Sequence, residues 1–294
     1  VHFGGWNRCA RFVNGGIELL VTLEVGPRII RFGRIGGPNM LKEFEKHAGF
    51  RGGVEYRSYG GHRLWIAPEE VPKTYQPDND PVEVVERGEA ISFSSQPDAY
   101  HLQKEIEVEP LERGFRITHR IHNRGVYAVE LAPWALTVMA TGGTCYVPQH
   151  EFVAHGETLL PARPLVLWPY TNMSDPRYTW GEKLIVLRQT DAGPTKFGAM
   201  VEQGWAAYAN HGIVFVKRFD AFKLEDYPDF HVNFEAFTRN DMLEVETLGP
   251  LEVVEAGSSA LHLESWYLLD GIVPDGDLTA HEWLSTKLGE CPKP

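Results

Sequence analysis

The sequence predicts an all-β protein, and three observations carry that prediction. Apolar and polar residues alternate with a period of two in at least a dozen separate segments. Glycine (29) and proline (20) make up about a sixth of the 294 residues, which favours many turns over long helices. No stretch alternates strands with amphipathic helices, so a doubly wound parallel sheet is disfavoured.

In chain order, Gly16–Val25 (GIELLVTLEV) and Arg28–Ile35 (RIIRFGRI) read as a strand pair turned at Gly26-Pro27. Leu41–His47 has room for two helical turns. Val82–Ser94 divides at Arg87-Gly88-Glu89 into a hairpin, and His101–Pro110 with Gly114–Asn123 forms another. Ala128–Ala132, Leu136–Ala140, Lys183–Gln189 and Ile213–Phe219 add strands. The C-terminal part supplies His231–Phe237, Leu243–Leu248, Leu251–Glu255 and Ala260–Leu268. A helix is expected over Asp277–Leu288, with Asp277 as its cap and Leu284 and Leu288 on one face. Gly49–Asp80 and Val147–Thr179 read as long loops, and long loops on a β scaffold are where binding groups collect. With no shift of composition and no repeat, residues 1–294 are expected to form one domain.

Composition excludes several classes of function. Twenty-eight Lys and Arg against forty Asp and Glu leave a net charge of −12, which argues against a nucleic-acid binder. A 43% hydrophobic share with 23% charged residues is enough for a large core. No run approaches the roughly 18 apolar residues of a membrane span. Val1–Trp6 lacks the basic and apolar stretches of a secretory signal. Cys9, Cys145 and Cys291 are odd in number and far apart, so no disulfide framework is expected and a reducing cytoplasm fits. No metal is expected either: His150 and His155, beside Glu151 and Glu157, lack the fixed spacing that zinc sites use. No phosphate loop, nucleophile elbow or dinucleotide fingerprint is present, and no cofactor is expected.

Two features carry candidate chemistry. Tyr59-Gly60-Gly61-His62-Arg63-Leu64-Trp65 concentrates an imidazole, a guanidinium fork and a large aromatic face beside a turn. Sugars need such groups, forked donors for vicinal hydroxyls and an aromatic surface for the C–H face of the ring. The bland alternative is a structural turn with Arg63 ion-paired and Trp65 in the core. In Met242–Leu248, strand parity sends Glu244 and Glu246 to one face and Leu243, Val245 and Thr247 to the other. The neighbouring segment sets Asn233, Glu235 and Phe237 on one face, and a later one does so with His262, Glu264 and Trp266. Parity leaves open whether these faces are solvated or line a concave site. Of the histidines, His119 alternates with Phe115, Ile117 and Ile121 and reads as core, and His62 beside glycines reads as exposed.

The segments Tyr227-Pro228-Asp229, Asn233–Thr238 and Met242–Leu251 resemble the C-terminal half of galactose mutarotase-like proteins. Gly60–Trp65 is similar to a Gly-Gly-x-Arg-Leu-Trp segment of an uncharacterised bacterial branch of that superfamily. The likeness spreads from about Gly15 to Leu269, and its motifs are short. It implies a β-supersandwich of large antiparallel sheets with a sugar-binding concave face. It also implies a general-base glutamate, which falls on Glu246, and an early arginine that holds substrate hydroxyls, which falls on Arg63. The chain departs from the aldose 1-epimerases after Leu131–Thr137, where Val138-Met139-Ala140-Thr141 stands and the epimerases carry their acid histidine. His62 is the imidazole expected to take that role.

Three functions follow. The first is an aldose 1-epimerase-like isomerase that interconverts sugar anomers by acid–base catalysis, with Glu246 and His62 as the pair. The second is a sugar-binding or sensing protein without turnover. The third is a hydrolase or lyase using two carboxylates such as Glu235 and Glu246. Arg63, Trp65, Trp134, Lys217, Tyr227, Asp229 and Glu235 are the expected substrate-binding residues. The expected partner is a small carbohydrate, bound by a monomer or homodimer.

Overall fold

Alternating strands with one apolar face must bury that face, and here two sheets do so against each other. The computed structural model describes residues 1–222 and 225–294. The first sheet runs β1 (Cys9–Asn14), β2 (Ile17–Thr22), β3 (Arg28–Arg34), β4 (His62–Ala67), β9 (Val129–Met139) and β18 (Met242–Leu248). It continues through β17 (Phe234–Arg239), β14 (Thr195–Ala199) and β11 (Leu165–Leu167), while β19 (Glu252–Val254) pairs with β9 beyond β18. The second sheet begins with β12 (Tyr178–Trp180), β13 (Leu184–Arg188), β10 (Thr144–Pro148), β15 (Trp205–Asn210) and β16 (Ile213–Phe219). It ends with β20 (Ser259–Asp270), β8 (Phe115–Asn123), β7 (Leu102–Pro110), β6 (Ala90–Ser94) and β5 (Glu83–Arg87). The described strands all pair antiparallel within the two sheets, and an apolar cluster including Phe32, Phe115, Phe215, Leu243, Val245 and Trp266 draws on both sheets.

The all-β expectation holds, and the differences are local. Leu41–His47 forms no helix; Leu41 bridges to Met139 and Glu43 to Gly60, so backbone pairing at the sheet takes this segment. The Gly49–Asp80 loop contains β4, whose six residues are all buried and so show no outward polar alternation to read. Ala128–Ala132 and Leu136–Ala140 merge into β9 across Pro133. The proline sits where β18 pairing gives way to β19 pairing, and its carbonyl accepts from Gly249 N (2.8 Å). Asp277 begins the predicted helix, but its carboxylate accepts from Lys183 N (2.8 Å) and Leu184 N (2.9 Å). The helix is thus tied to β13, with Ala280, Leu284 and Leu288 packed on the outer face of the second sheet.

A third cluster lies on the opposite face of the first sheet from the shared core. It joins Trp65, Ala67, Ala132, Trp134, Leu136, Tyr227 and Leu248. Around it the site is built.

Candidate functional site

The central strands of the first sheet place their outward residues in rows. Trp65, Trp134 and Leu248 form one row, and Arg63, Leu136, Glu246 and Glu235 the next. Val138, Glu244, Phe237 and Lys196 follow, and Met242 with Arg239 ends the series. These rows floor a cleft of about 400 Å³. Its walls include Tyr56, Glu69, Tyr75 and Tyr170, the first three from the Gly49–Asp80 loop and the last from the Val147–Thr179 loop.

Aromatic rings shape one end. Trp65 meets Trp134 at 5.4 Å, Tyr75 at 4.9 Å and Tyr56 at 5.7 Å between centroids, none of them face to face. Arg63 lies over Trp65 at 4.3 Å and donates to Glu244 Oε1 at 3.1 Å. Tyr75 donates its hydroxyl proton to Glu69.

At the centre is a buried lysine between two glutamates. Lys196 Nζ stands 2.6 Å from Glu235 Oε2 and 3.1 Å from Glu246 Oε2, between the faces of Trp134 (4.7 Å) and Trp168 (4.5 Å). Trp134 Nε1 donates to the same Glu246 oxygen at 2.9 Å. Glu246 Oε1 is buried with no hydrogen-bond partner among the described residues. Burial would lower the lysine pKa, but Glu246 and Glu235 outweigh it and hold the ammonium charged well above its ordinary range. Glu235 is driven the other way: burial raises its pKa far above normal, Lys196 opposes the rise and Glu246 adds to it. Burial likewise raises Glu244, against Arg63. Burial pushes the Tyr170 phenol up to about 12.

Of the residues expected from sequence, Glu246, Arg63, Trp65 and Trp134 line this cleft. Glu235 lies directly behind Lys196 with its side chain wholly buried. Tyr227 packs under the aromatic wall and accepts from Phe222 N at 3.0 Å. Asp229 is half-buried in a turn where Asp229, Phe230 and His231 all take positive φ (51°, 61° and 74°), and its charge acts on Glu235. Neither Tyr227 nor Asp229 is a lining residue.

His62 and Lys217 require correction. Parity turns His62 to the other face of β4 from Arg63, into the core between the sheets, where it is fully buried rather than exposed. Its Nδ1 is 2.9 Å from Thr137 Oγ1 and its Nε2 2.7 Å from His119 Nε2; His119 Nδ1 is 3.2 Å from His262 O. A carbonyl can only accept, so His119 Nδ1 carries a hydrogen and a neutral His119 accepts from His62 Nε2–H. Thr137 then donates to His62 Nδ1. Every proton in the row is committed. Burial depresses both rings, His62 far below its ordinary value and His119 to about 3.

Lys217 belongs to the same core. It stands 2.9 Å from Glu264 Oε1 and donates to Val245 O at 3.0 Å. Burial would raise Glu264, but Lys217 and His262 outweigh it and hold the carboxyl well below its usual range. Donor atoms of His62, His119 and Glu264 lie within 4.8 Å of one another. That set does not suit a cation, because the Lys217 ammonium already neutralises Glu264 and the two imidazoles bond each other.

Sequence reasoning missed Lys196, Tyr56, Tyr75, Tyr170 and Glu69 as site residues. Lys196 carried one usable signal, a lone lysine in the apolar alternation of Thr195–Ala199. The others sit in loops whose course sequence does not reveal.

No protein-family model matches the chain, and no curated protein matches it in sequence. Solved structures do match in fold. A galactose mutarotase-like protein from Lactobacillus casei superposes with a TM-score of 0.61 at 10% identity, covering 89% of this chain and 100% of that one. A protein provisionally named an aldose 1-epimerase from Escherichia coli K12 gives 0.56 at 12% identity, covering 90% and 99%. A galactose mutarotase-like protein from Clostridium acetobutylicum gives 0.53 at 11%, covering 89% and 95%. The chain therefore has the galactose mutarotase-like fold.

Proposed function

We propose that the cleft binds an aldose and that the protein interconverts its anomers with Glu246 as general base. The observation that carries this reading is the state of that carboxylate. Trp134 and Lys196 hold one oxygen; the other is buried without a hydrogen-bond partner among the described residues, and the residue lines an aromatic-walled cleft. A base needs its reactive lone pair held in place and uncommitted, and a pyranose needs an aromatic face beside it. In this reading Glu246 takes the proton of the anomeric hydroxyl, and the ring C–O bond opens as a second, proton-bearing group at the cleft gives its proton to the ring oxygen. The aldehyde rotates, and reclosure returns both protons. No cofactor enters.

Tyr56, Tyr75, Tyr170 and Lys196 are among the proton-bearing groups at the cleft. Lys196 and Tyr170 both hold their protons firmly. They support charge at the ring oxygen by hydrogen bonding and electrostatics more readily than by outright proton release. That observation favours a second reading, sugar binding without turnover. The two-carboxylate hydrolase reading has less support, since Glu235 is shielded from the cleft by Lys196.

Exchange NMR on a panel of aldoses tests these readings. Faster α–β interconversion of one sugar, reduced about 100-fold or more by Glu246→Gln, supports the base assignment. Line broadening without acceleration supports binding alone. A flat response to every aldose overturns both.

A further inference from the structure

Most charges in the cleft are answered. Arg63 pairs with Glu244, and Lys196 with Glu246 and Glu235. Arg239 is the exception. It ends the row that Glu235 and Phe237 begin, on the same face of β17, and it lines the cleft. It is exposed, and its guanidinium makes no ion pair or hydrogen bond with any described residue. Asp241, two residues along, is taken by Lys42 at 2.7 Å and feels Arg239 only through space.

The register fixes where this free cation stands relative to the base. Glu246 is directly opposite Glu235, and Arg239 is four residues further along the same strand. At 3.3–3.4 Å per residue, Glu235 and Arg239 are about 13 Å apart along the strand, and Glu246 is one strand further across. The Glu246 and Arg239 side chains are both on the cleft face of the sheet, so a ligand that reaches both must extend along the floor. Phe237 and Glu244, the latter paired with Arg63, lie in the row between them. Glu69, also at the cleft, accepts from the Tyr75 hydroxyl. Among the described residues, Arg239 is thus the one lining cation without a carboxylate partner, and it stands at the last row of the floor.

We propose that Arg239 grips an anionic substituent, a phosphate or a carboxylate, on the part of the sugar remote from the anomeric carbon. A guanidinium offers paired donors matched to either group. On a chain of net charge −12, a cation left unpaired in a cleft is a local exception to the surrounding field. The proposal rests on the sugar-binding reading and names the substrate class within it.

The test is calorimetric titration of the full chain with glucose, glucose 6-phosphate and glucuronate, at low and at 0.5 M salt. The expected result is at least tenfold tighter binding of one anionic probe than of glucose, weakened by salt. The preferred probe identifies the substituent as phosphate or carboxylate. Arg239→Ala should bring the ratio of anionic to neutral affinity to within about threefold of unity, and Arg239→Lys should keep part of it. Equal binding of glucose and both anions overturns the anion assignment and leaves the sugar reading standing, as does an anionic preference that survives Arg239→Ala. Binding of none of the three overturns the anion assignment for these probes, and the wider aldose panel then decides the sugar reading separately.

Discussion

Lys196→Met is expected to be the costliest single change on the cleft floor. Methionine keeps an unbranched stem between Trp134 and Trp168 while deleting the ammonium that lies 2.6 Å from Glu235 and 3.1 Å from Glu246. Glu235 is already pushed towards its neutral form by burial, so the partner left stranded is Glu246. Removing one member of a buried pair costs about 3–5 kcal/mol, because the other charge is left uncompensated. At about 2 °C per kcal/mol for a chain of this size, Tm should fall by roughly 6–10 °C. Adding Glu246→Gln removes the stranded charge, and a buried pair replaced as a whole is close to neutral. The double variant should then return to within about 1 kcal/mol of the parent, giving a coupling near 3 kcal/mol. Urea unfolding followed by tryptophan fluorescence and circular dichroism measures all four proteins. A cost below about 1 kcal/mol for Lys196→Met, or losses that simply add in the double variant, would refute the reasoning.

Two further outcomes concern the core between the sheets. His62 and His119 are held neutral there, facing Glu264, Lys217 and His262, whereas in the unfolded chain each takes up a proton near pH 6.5. Their contribution is complete above that value and lost as pH falls from about 6.5 towards 3, at up to about 1.4 kcal/mol per pH unit for each ring. Urea midpoints should decline between pH 7 and pH 5, and a flat profile would contradict the proton assignment. Lys217→Met should cost about 3–5 kcal/mol by stranding Glu264, while sugar-induced line broadening at a temperature where the variant stays folded is unchanged. Loss of the sugar response in that folded variant would place Lys217 in the cleft after all.

Period-two alternation by itself determined the all-β class, the hairpins at residues 82–94 and 101–123, and the sharing of one face by Glu244 and Glu246. Alternation is a property of each strand alone, since successive side chains point to opposite sides whatever the neighbours are. Residue types clustered in Tyr59–Trp65 brought Arg63 and Trp65 forward, and the resemblance supplied the roles of Arg63 and Glu246; alternation assigned faces alone. It could not say which face is concave, because an outward carboxylate reads the same beside solvent or beside a cleft. Sheet order decided that. It brought β14 against β17 and so set Lys196 against Glu235 and Glu246, residues 39 and 50 positions away, an encounter that no local pattern encodes. His62 and Lys217 failed for the same reason in reverse. A histidine beside two glycines looks exposed, but β4 is central, so one of its faces floors the cleft and the other fills the core. Arg63 and His62 are adjacent in sequence and lie on opposite sides of a sheet. Strand parity separates them, and only the stacking of the second sheet determines which one meets the cleft.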